Sequence, residues 1–229
     1  MQKKHYLYLA GLVFIVALVI VLAVSFAHQS EKTIVENLPA PTATTGERGE
    51  MGIDQNINES TLDDYLGRED TVYRDMRMLD GAANFEKIGG EKQITGFVED
   101  FEMVPYPKLF PVEGLAAEVG SDYTGKTLYK LTEGQPTPRY EESLSILEYY
   151  FPKDKNIFLM SGNGFYAGKT KDLLVKLGWN KDKIYVVGGY WYYDGKHKIS
   201  IVNGDYFDNW KITYHDFDVN TLHRVSTQK

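Results

Sequence analysis

Residues 156–179, NIFLMSGNGFYAGKTKDLLVKLGW, are the stretch that decides the fold. Four apolar residues, 157–160, lead into a glycine-bearing loop at 161–166. The residues after the loop fit the spacing of a helix until Gly178 ends the pattern, the relevant positions being Ala167, Thr170, Leu174 and Leu177. This order predicts a strand, a tight loop and a helix. In a parallel sheet such a loop lies at the carboxyl edge of its strand, where the N–H groups of the helix N-terminus favour an oxyanion or another acceptor-rich ligand.

The elements around this stretch predict an α/β fold with a parallel sheet flanked by helices. A second apolar run follows at 183–187 and ends in Gly188-Gly189. Two uninterrupted apolar strands around one amphipathic helix form a βαβ unit, whose sheet must be covered on both faces. Upstream, the sequence predicts a helix from the Thr61 N-cap to Leu66, strands within 70–77 and 101–105, and a helix that starts at Thr137-Pro138 and ends before Pro152.

The C-terminal part predicts an antiparallel β extension over residues 194–229. Two turn dipeptides, Asp194-Gly195 and Asn203-Gly204, separate β-rich runs at 190–193 and 196–202. Polar and apolar residues then alternate over 210–215. We expect a meander here, following a main domain at 61–193.

Residues 1–28 are predicted to form a cytoplasmic tip and a transmembrane anchor. The uncharged apolar segment 6–27 reaches roughly 33 Å as a helix, enough for a hydrocarbon layer of about 30 Å. Lys3 and Lys4 precede it, so the positive-inside rule places the rest of the chain outside the cytoplasm. Because 25–27 resembles a cleavage site, removal as a signal peptide and secretion are the alternative. Residues 29–60 lack an apolar period and are predicted to be a disordered tether.

Composition excludes several classes of function. The sequence has no cysteine, which removes disulfides, thiolate metal sites and thiol-based mechanisms. Its formal net charge is −7, and no basic run interleaved with aromatics suggests nucleic acid as a partner. We expect neither a metal nor a cofactor, because the isolated histidines His197, His215 and His223 are typical of surface positions.

The order and spacing of these motifs resemble the rhodanese (sulfurtransferase-like) domain. The shared features, over roughly residues 61–191, are Asp75-x-Arg77 at a strand end, the apolar strand 157–160, the loop 161–166, Leu173-Leu174, Gly178-Trp179, the strand 184–187 and Gly188-Gly189-Tyr190-Trp191. Arg74 departs from the pattern, since the family usually has an apolar residue there, and the usual Gly-His-Ile segment is absent. The resemblance implies a rhodanese-like sheet.

The resemblance also implies that the chemistry of the family is missing. Active members carry a cysteine at the first loop position and often an arginine at the last, and these positions correspond to Ser161 and Tyr166. A serine cannot form the persulfide, and its hydroxyl needs an adjacent general base before it can attack. We therefore predict no catalytic residue and a ligand-binding loop made of Ser161, Gly162, Asn163, Gly164, Phe165 and Tyr166. We expect Asp75 to accept backbone N–H groups, with Arg77 balancing its charge, as support for this loop.

Three alternative predictions place an enzyme site in the same loop. Gly162-x-Gly164-x-x-Ala167 fits the loose dinucleotide fingerprint, but Gly188-Gly189 stands where the acidic residue belongs. Residues 163–170 are one residue away from a P-loop, which would place Lys169 on nucleotide phosphates. Ser161-dependent catalysis is the third, although Leu159 does not fit the hydrolase elbow.

The sequence thus predicts a membrane-tethered, extracytoplasmic rhodanese-like domain, inactive as a sulfurtransferase, that acts as a binding module. Its expected ligand is a small oxyanion or an acidic peptide. The minority prediction is a phosphate- or nucleotide-handling enzyme.

Overall fold

The computed structural model describes residues 37–42, 52–77, 96–112, 126–200, 215 and 217–226, all within the compact unit Val35–Lys229. Among these residues no helix is both long and apolar enough to cross a membrane. The predicted anchor at 6–27 lies outside the described residues, as does the part of the predicted tether at 29–36 and 43–51.

The centre of the fold is a four-stranded parallel sheet. The strands among the described residues are β1 (Thr71–Asp75), β2 (Gly96–Val98), β3 (Glu102–Met103), β4 (Tyr129–Thr132), β5 (Gln135–Pro138), β6 (Asn156–Ser161), β7 (Ile184–Gly189) and β8 (Lys198–Ser200). The sheet has the order β3-β1-β6-β7, and every neighbouring pair is parallel. The predicted α/β class with a parallel sheet is confirmed. The carboxyl ends of all four strands therefore meet at one edge.

Helices and short 3-10 segments connect these strands. The α-helices are α1 (Tyr106–Leu109), α2 (Ser143–Tyr150) and α3 (Phe165–Lys176), and the 3-10 segments are Leu62–Tyr65, Lys181–Lys183 and Tyr190–Tyr192. The predicted helix after Thr61 and the βαβ unit β6-α3-β7 are both present. Gly178 follows α3 in the left-handed region at φ 96°, as its predicted role in ending the helix requires.

Side chains of β6 alternate between two apolar clusters, one on each face of the sheet. Ile157 and Leu159 join the cluster that contains Leu147 of α2 and Leu174 of α3. Phe158 and Met160 join the other cluster, which contains the buried apolar side chains Ile57, Leu62, Leu66, Tyr73, Tyr185 and Val187. An uninterrupted apolar strand is needed here because both faces of the sheet are covered.

The folded part begins before Thr61, so the predicted tether extends too far. The Asp54 N–H donates to the Val186 carbonyl at 2.9 Å, which places residues 52–54 beside β7, and the Ile57 side chain is fully buried. Residues 37–42 also pack on the domain, where the Pro39 carbonyl accepts a 2.8 Å hydrogen bond from the Tyr185 hydroxyl. Ile53 and Ile57 are buried although the apolar residues of the predicted tether show no regular period.

The helix predicted to start at Thr137-Pro138 begins later, at Ser143. Residues Gln135–Pro138 form β5, which pairs with β4 in an antiparallel hairpin. Proline is tolerated at the edge of such a two-stranded pair, and its fixed φ also suits an extended chain. The predicted end of the helix before Pro152 is correct.

The C-terminal region matches the predicted β extension only in part. Tyr190–Tyr192 is a 3-10 segment and not the predicted strand, because the chain turns sharply after Gly188-Gly189. Lys198–Ser200 forms β8, but its antiparallel partner is the distant β2. Residues 201–214 lie outside the described residues, so the alternating run at 210–214 is not tested.

Candidate functional site

The predicted binding loop lies between β6 and α3, at the carboxyl edge of the parallel sheet. Ser161 is the last residue of β6, and Phe165 is already the first residue of α3. The true connection is therefore residues 162–164, shorter than the six residues inferred from the sequence. Gly164 has φ 95°, a conformation that a residue with a Cβ adopts only at a cost.

The hydroxyl of Ser161 is an internal acceptor of the loop. Its side chain is buried, with 1% of the residue exposed. The Oγ atom accepts the backbone N–H of Gly164 at 3.0 Å and that of Ala167 at 3.4 Å. Ser161 thus satisfies two N–H groups near the helix N-terminus that would otherwise need a partner.

No histidine among the described residues approaches the Ser161 hydroxyl as a hydrogen-bonding base. The three described histidines each contact a carboxylate, in the pairs His197–Glu99, His215–Glu102 and His223–Glu142. A serine nucleophile requires a general base within hydrogen-bond distance. Within the described residues, the hydrogen bonds of the Ser161 hydroxyl are those that it accepts from Gly164 and Ala167, and no base contacts it.

The middle of the loop is covered by Trp191. The Trp191 N–H donates to the Gly162 carbonyl at 3.1 Å. A Cβ atom at position 162 would lie 2.8 Å from the Trp191 ring, so the close contact requires glycine. Asn163 accepts the Phe165 N–H at 3.0 Å through its side-chain oxygen. The backbone N–H groups of Gly162 and Asn163 form no hydrogen bond with another described residue.

Exposed aromatic side chains and one lysine surround the loop. Phe165 and Trp191 are each 41% exposed, and Tyr192 is 55% exposed. The Lys169 ammonium lies 5.3 Å from the centroid of the Phe165 ring. The Tyr166 ring stacks on the Tyr106 ring with a centroid distance of 4.9 Å. The rim of the loop is therefore aromatic, with a single nearby positive charge on α3.

Two glycines at the end of β7, Gly188 and Gly189, and the buried Glu59 carboxylate pack next to the loop. The Glu59 carboxylate accepts the Gly189 N–H at 2.8 Å and lies against Gly188, which has φ 105°. A Cβ at position 189 would lie 2.6 Å from the Gly162 carbonyl oxygen. Glu59 lies in the predicted tether at 29–60, so the sequence prediction does not include this role. The Gly188-Gly189 pair was the available signal, because paired glycines often mark a close backbone approach.

Asp75 and Arg77 form the ion pair that the sequence predicts, at the end of β1. Both side chains are almost completely buried, and the Arg77 guanidinium makes a two-pronged ion pair with Asp75, with Nη2 at 2.5 Å. The Arg77 N–H also donates to Asp75, and the guanidinium donates to the Gly96 carbonyl at 3.0 Å. Asp75 is the register partner of Met160, the residue before Ser161. The pair therefore supports the end of β6 without reaching the loop surface.

The geometry of the loop argues against the two predicted nucleotide sites, the P-loop and the dinucleotide fingerprint. Residues 165–170 are helical, so most of the segment 163–170 cannot form the loop that surrounds a phosphate in a P-loop. The Thr170 hydroxyl, which would bind magnesium in a P-loop, instead donates to the Tyr166 carbonyl at 2.7 Å. The Trp191 ring occupies the space next to Gly162, where a dinucleotide fingerprint needs the backbone exposed to a pyrophosphate. No cluster of metal-ligating side chains occurs within the described ranges.

Comparisons of the chain with models of protein families, with curated proteins and with solved structures found no match. The family resemblance therefore rests on the motifs themselves and on their order along the chain.

Proposed function

We propose that this chain is a rhodanese-like binding domain that lacks sulfurtransferase activity and is held outside the cytoplasm by an N-terminal membrane anchor. Support for the family comes from the placement of its motifs. Asp75, Ser161 and Gly189 end three neighbouring parallel strands, so the motifs meet at one edge. The apolar segment 6–27 and the preceding lysines support the anchor.

The observation that carries the proposal is the buried hydroxyl of Ser161. In an active member of this family, the loop N–H groups point at the sulfur on its first residue. Here the N–H groups of Gly164 and Ala167 point at a hydroxyl oxygen that no base among the described residues contacts. The loop keeps the architecture of a catalytic loop, and its first residue serves to hold that loop closed.

What remains accessible is suited to binding. The N–H group of the partly exposed Asn163 can donate to an anion or a carbonyl, and Lys169 adds a positive charge. Phe165 and Trp191 offer apolar surface that a free oxyanion cannot use. Of the two expected ligands, the aromatic rim favours an acidic peptide with an apolar side chain over a small oxyanion.

The absence of activity is tested with the full-length chain in a thiosulfate-to-cyanide transfer assay. We expect no turnover. Ser161→Cys combined with Tyr166→Arg restores the two family residues and is expected to produce measurable transfer. Turnover by the native chain that survives Ser161→Ala would overturn the proposal. If the double variant folds but stays inactive, the assignment of Ser161 to the cysteine position loses its support.

Binding is tested by thermal shift and calorimetry with sulfate, phosphate, ATP with magnesium, and a short peptide that carries glutamate and phenylalanine side chains. We expect the peptide to bind most tightly and Trp191→Ala or Lys169→Ala to weaken it. Tyr149→Ala is the matched control, since Tyr149 is an exposed aromatic residue on α2. Stabilisation only by ATP with magnesium, abolished by Lys169→Ala, would support the nucleotide enzyme instead.

A further inference from the structure

The candidate loop contains an Asn-Gly dipeptide, Asn163-Gly164. In a peptide chain, the backbone nitrogen that follows an asparagine can attack the side-chain amide carbon of that asparagine, a reaction known as deamidation. Glycine in the second position favours the attack, because it has no side chain to shield its nitrogen and its backbone is the most adaptable. Asn163 is partly exposed, so water reaches its side chain. The loop therefore carries a dipeptide that is chemically prone to change.

Deamidation at this dipeptide would need water and no other reactant. The Gly164 nitrogen loses its proton to the solvent and attacks Cγ of Asn163. A new C–N bond closes a five-membered succinimide ring, and the side-chain nitrogen takes up a proton and leaves as ammonia. Water then opens the ring at one of its two carbonyl carbons, which gives aspartate or isoaspartate. Nothing is oxidised or reduced, and both products carry a carboxylate in place of the amide.

The fold requires glycine at position 164. Its φ of 95° lies in the left-handed region, which residues with a Cβ rarely adopt. A Cβ there would also lie 2.7 Å from Cδ1 of Ile53 and 3.5 Å from the carbonyl carbon of Gly188. A larger residue at 164 would slow deamidation, but this close packing leaves no space for one. The reactivity of the dipeptide has to be limited by its surroundings.

Two hydrogen bonds in the loop oppose the attack. The Gly164 N–H donates to Oγ of Ser161 at 3.0 Å, and Ser161 is only 1% exposed, so the attacking nitrogen is bonded and kept away from solvent base. The Asn163 side-chain oxygen accepts the Phe165 N–H at 3.0 Å, which fixes the orientation of the amide group. The bond to Ser161 acts on the nucleophile itself and is the buried one of the two.

We propose that Asn163 is a deamidation site whose reaction rate in the folded chain is set by the Ser161 hydroxyl. While the hydrogen bond from Gly164 to Ser161 is made, the loop keeps a neutral amide at position 163. Without that bond, a carboxylate forms there, and the isoaspartate product also adds one carbon to the backbone of the short connection 162–164. The consequence for binding rests on the proposed function, because the new charge repels an acidic peptide.

Peptide mapping by mass spectrometry tests the proposal on the full-length chain in detergent, incubated at mildly alkaline pH. Trypsin releases residues 156–169, which contain Asn163 and also Asn156 as an internal reference. Asn156 precedes the β-branched Ile157, which shields the following nitrogen. We expect Asn163 to react at least about tenfold more slowly in the folded chain than in guanidinium chloride, because the nitrogen is bonded and buried. Equal rates in the two solutions would overturn the proposal.

Variants separate the hydrogen bond from a general loss of stability. Ser161→Ala should make Asn163 react several-fold faster in the absence of denaturant. Gly178→Ala is the matched control, because it strains the backbone beyond the C-terminal end of α3, away from the loop. A rate in Gly178→Ala as high as in Ser161→Ala would show that unfolding sets the rate, which overturns the proposal. If Ser161→Ala does not fold, Ser161→Cys replaces it, since a thiol is a weak acceptor of similar size. A native rate in Ser161→Cys would then be the contradicting result.

The effect on binding is measured separately with Asn163→Asp, which carries the charge of the deamidated loop. We expect this variant to bind the peptide with glutamate and phenylalanine side chains several-fold more weakly than the native chain does. Native affinity in Asn163→Asp would overturn the stated consequence of deamidation. If the native chain itself does not bind the peptide, the proposed binding function fails, while the mass-spectrometric rates still decide whether Ser161 controls the reaction of Asn163.

Discussion

The hydroxyl oxygen of Ser161 lies 3.0 Å from the backbone nitrogen of Gly164, so the residue that ends β6 holds the residue that precedes α3. The same oxygen accepts the Ala167 N–H. This relationship fixes the tight connection between strand and helix. It also makes one side-chain atom the point on which two backbone N–H groups of the loop converge.

Replacing Ser161 by alanine should destabilise the domain without any ligand being involved. Two buried N–H groups lose their acceptor, which costs about 1–3 kcal/mol of the free energy of unfolding. Ser145→Ala is the control, because the exposed Ser145 hydroxyl donates to the Glu142 carbonyl and no buried group depends on it. The measurement is urea denaturation followed by circular dichroism. Equal losses in the two variants would show that the Ser161 hydroxyl does not organise the loop.

Substitutions at Gly178 and Gly188, which both have φ in the left-handed region, distinguish the cost of backbone strain from the cost of a steric clash. A Cβ at Gly178 meets no atom within 4 Å, so Gly178→Ala should cost only the backbone term of about 1–2 kcal/mol. At Gly188 the Cβ would lie 2.2 Å from the Glu59 carboxylate carbon, which adds about 1–3 kcal/mol of overpacking. Gly188→Ala should therefore lower the unfolding free energy more than Gly178→Ala does. Similar losses would mean that Glu59 moves away without cost.

Truncation should show where the folded part begins. Removing residues 1–34 leaves the compact unit intact, and we expect the same thermal midpoint as for the full chain in detergent. Removing residues 1–60 also deletes the buried side chains of Ile53, Ile57 and Glu59, together with the backbone bond from Asp54 to β7. We expect that shorter chain to be unfolded or aggregated. A cooperative unfolding transition with a native midpoint would place the boundary at Thr61 after all.

The parallel core was predictable because its information is local. The strand β6, the helix α3 and Gly178 each carry a strong short-range signal, and the βαβ rule then fixes how β6 and β7 pair. The buried Asp75–Arg77 pair was predictable for the same reason, since its two members are only two positions apart in the chain. These elements form the scaffold on which the loop lies.

What the sequence did not reveal depends on contacts between distant residues. Glu59 supports Gly189 across 130 positions, and β8 pairs with β2 across about 100. No periodicity within either segment indicates such a partner. The start of α2 was misplaced because Thr137-Pro138 is a good local helix start, but pairing with β4 outweighs that preference. Loop length was overestimated because helix boundaries are not sharply encoded.

The ion pair between Arg68 and Asp70 predicts how stability changes in acid. Arg68 Nε and Nη2 lie 2.9 and 2.8 Å from the two Asp70 oxygens, and the Thr71 hydroxyl also donates to Asp70. The hydrogen bond from Arg68 is the main reason why the pKa of Asp70 is lowered in the folded chain. Because the folded pKa is below the unfolded one, this contribution is complete above the ordinary value of about 3.9. It is lost as the pH falls through the lowered pKa.

Asp70→Asn should therefore make the free energy of unfolding fall less steeply between about pH 4 and pH 2 than it does in the native chain. The loss at pH 7 should stay near about 1 kcal/mol or less, because Asp70 is half exposed and solvent screens the pair. Arg68→Gln should make this fall less steep in the same way, since it removes the main cause of the lowered pKa of Asp70. Arg139→Gln serves as the control, because the Arg139 guanidinium donates to the Tyr129 carbonyl and not to Asp70. Urea titrations at half-unit pH steps measure how steeply the free energy of unfolding falls with pH. If this fall is unchanged in both the Asp70 and the Arg68 variants, other carboxylates cause the acid sensitivity.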